Sequence, residues 1–190
     1  MRKILIAYIF LLFEVTIPFG EGKMELLPTW IGYIFLVKGF SELQEESIIY
    51  KEKIFILEGV SITAAMIWFL EAIYPNALLI VQGPVKKLVR LFFYNITYMV
   101  VTGTEEIEEY YHVDIGAEKL KKAWWIYSLI RIINSISIDN VKIYILTTCA
   151  MFIAAIYNLF VFYKIVKLYN GLAKEKMKYR LKKCATINEE

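Results

Sequence analysis

The residues most able to do chemistry in this chain are charges that interrupt long apolar stretches. Glu14 lies about ten residues into the first stretch, and Arg131 lies about eight residues into the fifth. A lone charge at the middle of a bilayer costs about 3 kcal/mol or more, and an opposite charge at the same depth recovers much of that cost. We therefore predict that Glu14 and Arg131 face the interior of a helical bundle and pair.

Three small polar residues share the stretch that contains Arg131. Ser128, Asn134 and Ser135 are spaced three and four residues from it, which predicts one polar helix face. Two interpretations stay open for this polar cluster. It is either a structural ion pair with Glu14 that fixes the helix register, or a site for a proton, an ion or an anionic ligand.

Two further pairs of opposite charges have matching predicted depths near the membrane boundaries. Glu71 matches Arg90 near the outer boundary, and Glu58 matches Lys164 near the inner one. Long charged side chains at such depths extend to the interface, so we interpret both as interfacial pairs rather than as sites.

The composition excludes an ordinary soluble globular domain. Of 190 residues, 58% are hydrophobic and 16% aromatic, and the mean hydropathy is +0.51. Soluble domains have about half their residues apolar and fewer aromatic ones. We predict an integral membrane protein.

We predict an all-α membrane bundle in a single domain, with about six hydrophobic segments: 4–20, 26–40, 54–74, 86–103, 123–138 and 142–166. The first two are short for a bilayer core that takes about 20 residues to cross, so they are tilted spans or a re-entrant hairpin. Amphipathic surface helices are expected at 41–53 and 104–122, with a basic tail at 167–190. Ser41 and Gln44 are spaced as a capping box for the first surface helix, and Asp114 and Gly116 are expected to divide the second.

An even number of crossings places both termini on one side of the membrane. With that side cytoplasmic, 16 basic residues lie inside and five outside, as the positive-inside rule requires. We predict a multi-pass protein of the cell membrane, the inner membrane of a bacterium, with both termini cytoplasmic. A further crossing between Pro75 and Gly103 would reverse the predicted orientation of every segment after it.

No catalytic motif is present in the sequence. His112 is the only histidine, and there is no His-Glu-x-x-His helix or Gly-x-Ser-x-Gly turn. We predict no catalytic residue, no bound metal, no cofactor and no enzymatic activity.

The expected partners are the lipid bilayer and other membrane subunits. The basic residues from Lys164 to Lys183 are suited to anionic lipid headgroups, although they equally serve as the topology signal. We expect no nucleic-acid binding, because these residues adjoin a membrane segment and form no separate module.

Small residues repeat at helical spacing in the third segment, where Gly59 precedes Thr63 and Ser61 precedes Ala65. Such pairs allow another helix to approach closely.

The small-residue face and the polar cluster lead to two hypotheses about function. The first is a structural or partner-binding membrane protein. The second is a small-solute or ion transport component, such as a membrane substrate-binding subunit, that uses the polar site of Glu14 and Arg131.

Two motifs resemble those of small uncharacterised bacterial multi-pass membrane proteins. One is the run Leu26-Leu27-Pro28-Thr29-Trp30-Ile31-Gly32-Tyr33, and the other is Glu106-Ile107-Glu108-Glu109 followed by Leu120 and Trp124. The resemblance implies the membrane architecture and an acidic surface helix. It implies no activity, substrate or catalytic residue.

Overall fold

A computed structural model describes the backbone of residues 1–13, 16–19, 22–25, 28–73, 79–136 and 141–187, and side chains within 1–13, 28–70, 72–73, 92–135 and 141–174. This part of the chain contains six helices and one two-stranded hairpin: α1 (Arg2–Leu12), β1 (Thr16–Phe19), β2 (Gly22–Glu25), α2 (Thr29–Leu43), α3 (Ile48–Ile73), α4 (Leu79–Tyr111), α5 (Ala117–Ile136) and α6 (Val141–Ile187). Every described element except the hairpin is helical, which confirms the all-α prediction.

The first apolar segment is not helical throughout. Helix α1 ends at Leu12, and β1 pairs antiparallel with β2, with Pro18 opposite Lys23. Proline lacks the N–H that a helix interior needs but is tolerated in a strand with a free edge. With 11 residues, α1 measures about 17 Å, well short of the bilayer core.

The prediction of a separate surface helix at 41–53 is wrong. Helix α2 continues to Leu43, and α3 begins at Ile48, so the segment consists of one helix end, a turn and one helix start. The residue that caps α3 is Ser47, whose Oγ accepts the Tyr50 N–H at 3.2 Å. A serine at this position satisfies one of the four unpaired N–H groups of a helix start.

The segment 104–122, predicted to be a surface helix, likewise consists of the end of one helix and the start of the next. Helix α4 ends at Tyr111 and α5 begins at Ala117, and His112 and Gly116 between them have positive φ angles of 54° and 101°. The break therefore falls at the predicted place, around Asp114 and Gly116. Helix α4 also begins earlier than expected and passes through Gly83 and Pro84 without a break.

The basic tail predicted after residue 166 continues the last helix. Helix α6 has 47 residues and ends at Ile187, so the tail extends the axis of the final apolar segment. Its basic residues thus follow directly from that segment on the same helix.

The six helices contact one another in chain order, and α6 returns to α1 to close the bundle. Aromatic side chains fill the interior. Tyr8 of α1 stacks on Phe162 of α6 with ring centroids 4.9 Å apart, and its hydroxyl donates across the bundle to the Thr97 carbonyl of α4. Phe40 of α2 packs on Tyr50 of α3 at 4.2 Å.

In the part of the chain that the structure describes, two helical stretches are long and apolar enough to cross a membrane, residues 48–70 and 141–174. Only 17% and 28% of their most apolar windows are buried within the chain, whereas the core helix of a soluble protein is mostly buried. This supports association with a membrane.

Candidate functional site

Arg131 lies inside the bundle, with 7% of its surface exposed. Its Nη1 donates to the Tyr127 hydroxyl at 2.8 Å, and its guanidinium lies over the Phe93 ring, 4.4 Å from the centroid. The Tyr127 hydroxyl in turn donates to the Leu12 carbonyl at the end of α1 at 3.4 Å. A guanidinium that stacks on an aromatic face is stabilised by the ring's negative π surface, so this environment holds a buried charge.

The predicted partner of Arg131, Glu14, lies outside the described residues, so the pair remains a prediction.

The three polar residues near Arg131 on α5 each have different hydrogen-bond partners and burial. Ser128 is buried, and its Oγ has no hydrogen-bond partner among the described residues. Asn134 Oδ1 accepts from Thr147 of α6 at 2.6 Å, and the exposed Ser135 donates to the Arg131 carbonyl.

The boundary pairs are only partly described. The side chains of Glu71 and Arg90 lie outside the described part of the chain. Glu58 is exposed on α3 and lines a groove with Lys38, whereas Lys164 lies over the Phe160 ring at 4.4 Å in a groove of α6. The structure thus places Glu58 and Lys164 in two different grooves.

Thr97 of α4 is a polar junction of the core that the sequence did not indicate. It is buried, its carbonyl accepts from Tyr8, and its Oγ1 accepts the Trp124 indole N–H at 2.9 Å. Trp124 is therefore a core residue with a satisfied donor, whereas its neighbour Trp125 is exposed. This junction joins α1, α4 and α5.

The acidic run at the end of α4 caps two other helices. Glu106 accepts hydrogen bonds from the Ser47 hydroxyl and, at 3.1 Å, from the Ile49 N–H at the start of α3. Glu108 Oε1 accepts the backbone N–H groups at the start of α5, from Ile115, Gly116 and Ala117, at 2.6–2.8 Å. Carboxylates are favoured at helix starts because unpaired N–H groups and the helix dipole are positive there.

A third carboxylate ties the turn before α3 to two other helices. Glu46 accepts the Tyr111 hydroxyl of α4 and the Tyr169 hydroxyl of α6, each at 2.9 Å. Burial and the bond to Glu46 raise the pKa of Tyr111 to about 12, so this hydroxyl stays protonated and donates at neutral pH. The carboxylates at this end of the bundle therefore act as structural acceptors.

Besides the groove beside Lys164, the described residues form two larger grooves on the outside of the bundle. One lies between α1 and α6, has a volume of about 530 Å³ and is lined by three basic side chains together with apolar ones. The other lies between α2 and α3, has a volume of about 360 Å³ and is mainly apolar. In the second groove, the buried indole nitrogen of Trp30 has no hydrogen-bond partner among the described residues.

Comparison of the chain with protein-family models, with curated proteins and with solved structures found no match. Within the described residues, no three His, Cys, Asp or Glu side chains are grouped so that they could hold a metal ion. The arrangement described above supports helix capping, a stabilised buried charge and several external grooves.

Proposed function

We propose that this chain is a multi-pass integral membrane protein of the cell membrane with a non-enzymatic, partner-binding role. The proposal places both termini on the cytoplasmic side and assigns the outward face of α3 to contact with another membrane subunit. The observation that carries it is the composition of that face, which is apolar, contains small residues and is left uncovered by the rest of the bundle.

Insertion in lipid is supported by large apolar side chains on the outside of three helices. Phe55 and Met66 on α3 are 83% and 60% exposed, Leu129 on α5 is 58% exposed, and Ile153 on α6 is 69% exposed. Monomeric soluble proteins rarely expose large continuous apolar patches, because such surface is costly in water. In the hydrocarbon core of a membrane, exposed apolar side chains do not carry this cost.

The orientation is supported by the contacts that join the helix ends. Lys3 pairs with Glu42 at 2.6 Å, Lys121 pairs with Glu105 at 2.9 Å, and Tyr169 donates to Glu46. The start of α1 thus meets the end of α2, and the start of α5 meets the end of α4. Arg2 and Lys3 at the start of α1 and Lys119, Lys121 and Lys122 at the start of α5 belong to this end, as expected for a cytoplasmic face.

The partner face is centred on Gly59 and Thr63 of α3. Both are exposed, and a Cβ added at Gly59 would meet no atom of the chain within 4 Å. Thr63 donates to the Gly59 carbonyl at 2.8 Å, so its hydroxyl is satisfied within α3 and its methyl is available for packing. A small residue beside open space, flanked by Phe55 and Met66, suits the close approach of an apolar partner helix.

Photo-crosslinking in native membranes tests this role. A photoreactive residue at Thr63 should give one discrete protein adduct, and Gly59→Leu in the same chain should reduce its yield at least fivefold because the leucine fills the contact. The control places the photoreactive residue at Ile153, which faces lipid and should give no such adduct. An adduct of equal yield at both positions, or one indifferent to Gly59→Leu, would contradict the partner-binding role.

A small-solute or ion transport component is the second candidate. The observation that favours it is the presence of unsatisfied polar atoms in the core: Ser128 Oγ and both amide atoms of Asn158 are buried without partners among the described residues. Polar groups inside a membrane bundle often belong to solute pathways. If Glu14 and Arg131 form a transport site, the double variant Glu14→Gln with Arg131→Met should recover the stability that each single variant loses. The same double variant should nevertheless fail to transport the solute or ion.

A further inference from the structure

The groove between α1 and α6 is formed by two different kinds of side chain. It is lined by Arg2 at the start of α1 and by Lys167 and Lys174 in the second half of α6. All three are exposed, and every charged side chain that lines the groove is a cation. An anion placed among them would meet no opposing carboxylate from the lining.

The basic residues of α6 form a stripe along one helix face. Tyr163, Lys167, Asn170 and Lys174 follow one another at spacings of three and four, and all four line the groove. They extend over about 16 Å of the helix axis. The stripe therefore runs from an aromatic ring to an ammonium group, an amide and a second ammonium group.

The end of the groove nearer the middle of the bundle is apolar. Leu5 and Ile6 of α1 face Tyr163 and Val166 of α6, and Val166 is buried. In the proposed orientation, this end lies deeper in the membrane than Lys167 and Lys174. The groove thus changes from cationic to apolar in the direction in which a phospholipid changes from headgroup to acyl chain.

Open space at Gly171 gives the groove its depth. This residue lies in the groove between Lys167 and Lys174, and a Cβ added to it would meet no atom of the chain within 4 Å. The volume of about 530 Å³ is within the range of sites that hold a small molecule or one part of a lipid. A methyl group at this position would enter the space without contacting any neighbour, and a longer side chain would occupy more of it.

We propose that this groove is a binding site for an anionic phospholipid. The phosphate diester headgroup lies between Arg2, Lys167 and Lys174, and the first part of an acyl chain lies along Leu5 and Val166. Charge complementarity selects an anion, and the adjoining apolar wall selects a lipid over a soluble phosphate. The inference rests on the membrane insertion proposed above.

Native mass spectrometry of the full chain, purified in a mild detergent, tests the charge requirement. With phosphatidylglycerol and phosphatidylcholine added in equal amounts, the wild-type chain should retain phosphatidylglycerol preferentially. Lys167→Gln with Lys174→Gln should reduce that retention roughly fivefold for each charge removed. The matched control, Lys51→Gln with Lys53→Gln, removes two charges at the start of α3 and should leave retention unchanged.

A second variant tests the shape of the groove while keeping every charge. Gly171→Leu should lower retention of phosphatidylglycerol at least fivefold. The control Gly59→Leu, which places a leucine in open space on α3, should leave retention unchanged. Equal retention of the two lipids by the wild-type chain, or an equal loss in the α3 controls, would overturn the inference. So would full competition by millimolar glycerol phosphate, which would identify a soluble anion as the ligand.

Reconstitution separates failure of this inference from failure of the proposed function. In vesicles of phosphatidylcholine with or without one-quarter phosphatidylglycerol, a chain that inserts into both but shows no headgroup preference refutes the lipid site alone. A chain that inserts into neither vesicle refutes the membrane assignment and the lipid site together.

Discussion

Gly103→Ala is expected to lower the free energy of unfolding by about 2–3 kcal/mol, the usual cost of overpacking a well-filled core. A Cβ at Gly103 of α4 would overlap the ring of Tyr50 of α3. That ring cannot move aside, because it is fully buried, packs on Phe40 at 4.2 Å and donates its hydroxyl to the Val100 carbonyl at 3.1 Å. The added methyl group must therefore push α3 and α4 apart.

The matched control for this variant is Gly59→Ala. Both glycines lie within helices, but the added Cβ at Gly59 meets no atom of the chain. Alanine is the better helix former by about 0.5–1 kcal/mol, so this control should be neutral or slightly stabilising. Denaturation of the detergent-solubilised chain, followed by circular dichroism, measures both. A Gly103→Ala chain as stable as wild type would show that α3 and α4 are not in contact here.

Glu108→Ala is expected to cost about 2–3 kcal/mol, because it removes an acceptor shared by three backbone N–H groups, of which only that of Gly116 has a second acceptor among the described residues, Asp114 Oδ1. Two of those N–H groups belong to the buried residues Ile115 and Ala117, where water is a poor replacement. The variant should therefore loosen the start of α5 first. Hydrogen exchange at residues 115–120 should accelerate before global unfolding.

Glu109→Ala provides the control for the Glu108 variant. Glu109 has the same charge and lies on the same turn of α4, but it is exposed. Its replacement should change stability by less than about 0.5 kcal/mol, as is usual for surface substitutions. Equal destabilisation by the two variants would mean that the effect comes from the net charge of the acidic run and not from the capping bonds.

The acidic run shows why the sequence could not assign these residues. In the sequence, Glu105, Glu106, Glu108 and Glu109 form one hydrophilic stretch that predicts an amphipathic surface helix. In the fold, Glu106 and Glu108 cap two different helices, and Glu105 pairs with Lys121. The N–H groups that they bind belong to distant parts of the chain, and no local pattern reveals which helix starts will lie beside them.

The sequence by itself determined the helical class, the outward apolar surface and the break around Asp114 and Gly116. These follow from local causes: apolar composition sets the solvent that a segment requires, and glycine permits the positive φ of a turn. Pro28 and Gly32 also lie where their backbone properties suit a helix start and a close approach. Pro28 precedes the first residue of α2, and a Cβ at Gly32 would lie 3.0 Å from Leu11 of α1.

Only the tertiary structure decided what each polar side chain binds. Thr97, Glu46 and Glu108 gain their partners from helices that are far away in sequence, and Trp124 becomes a core residue because Thr97 lies opposite its indole nitrogen. A hydrogen bond depends on distances of a few tenths of an ångström, which the packing of whole helices sets. Periodicity in the sequence specifies which face of a helix is apolar, but it does not specify which helix that face will meet.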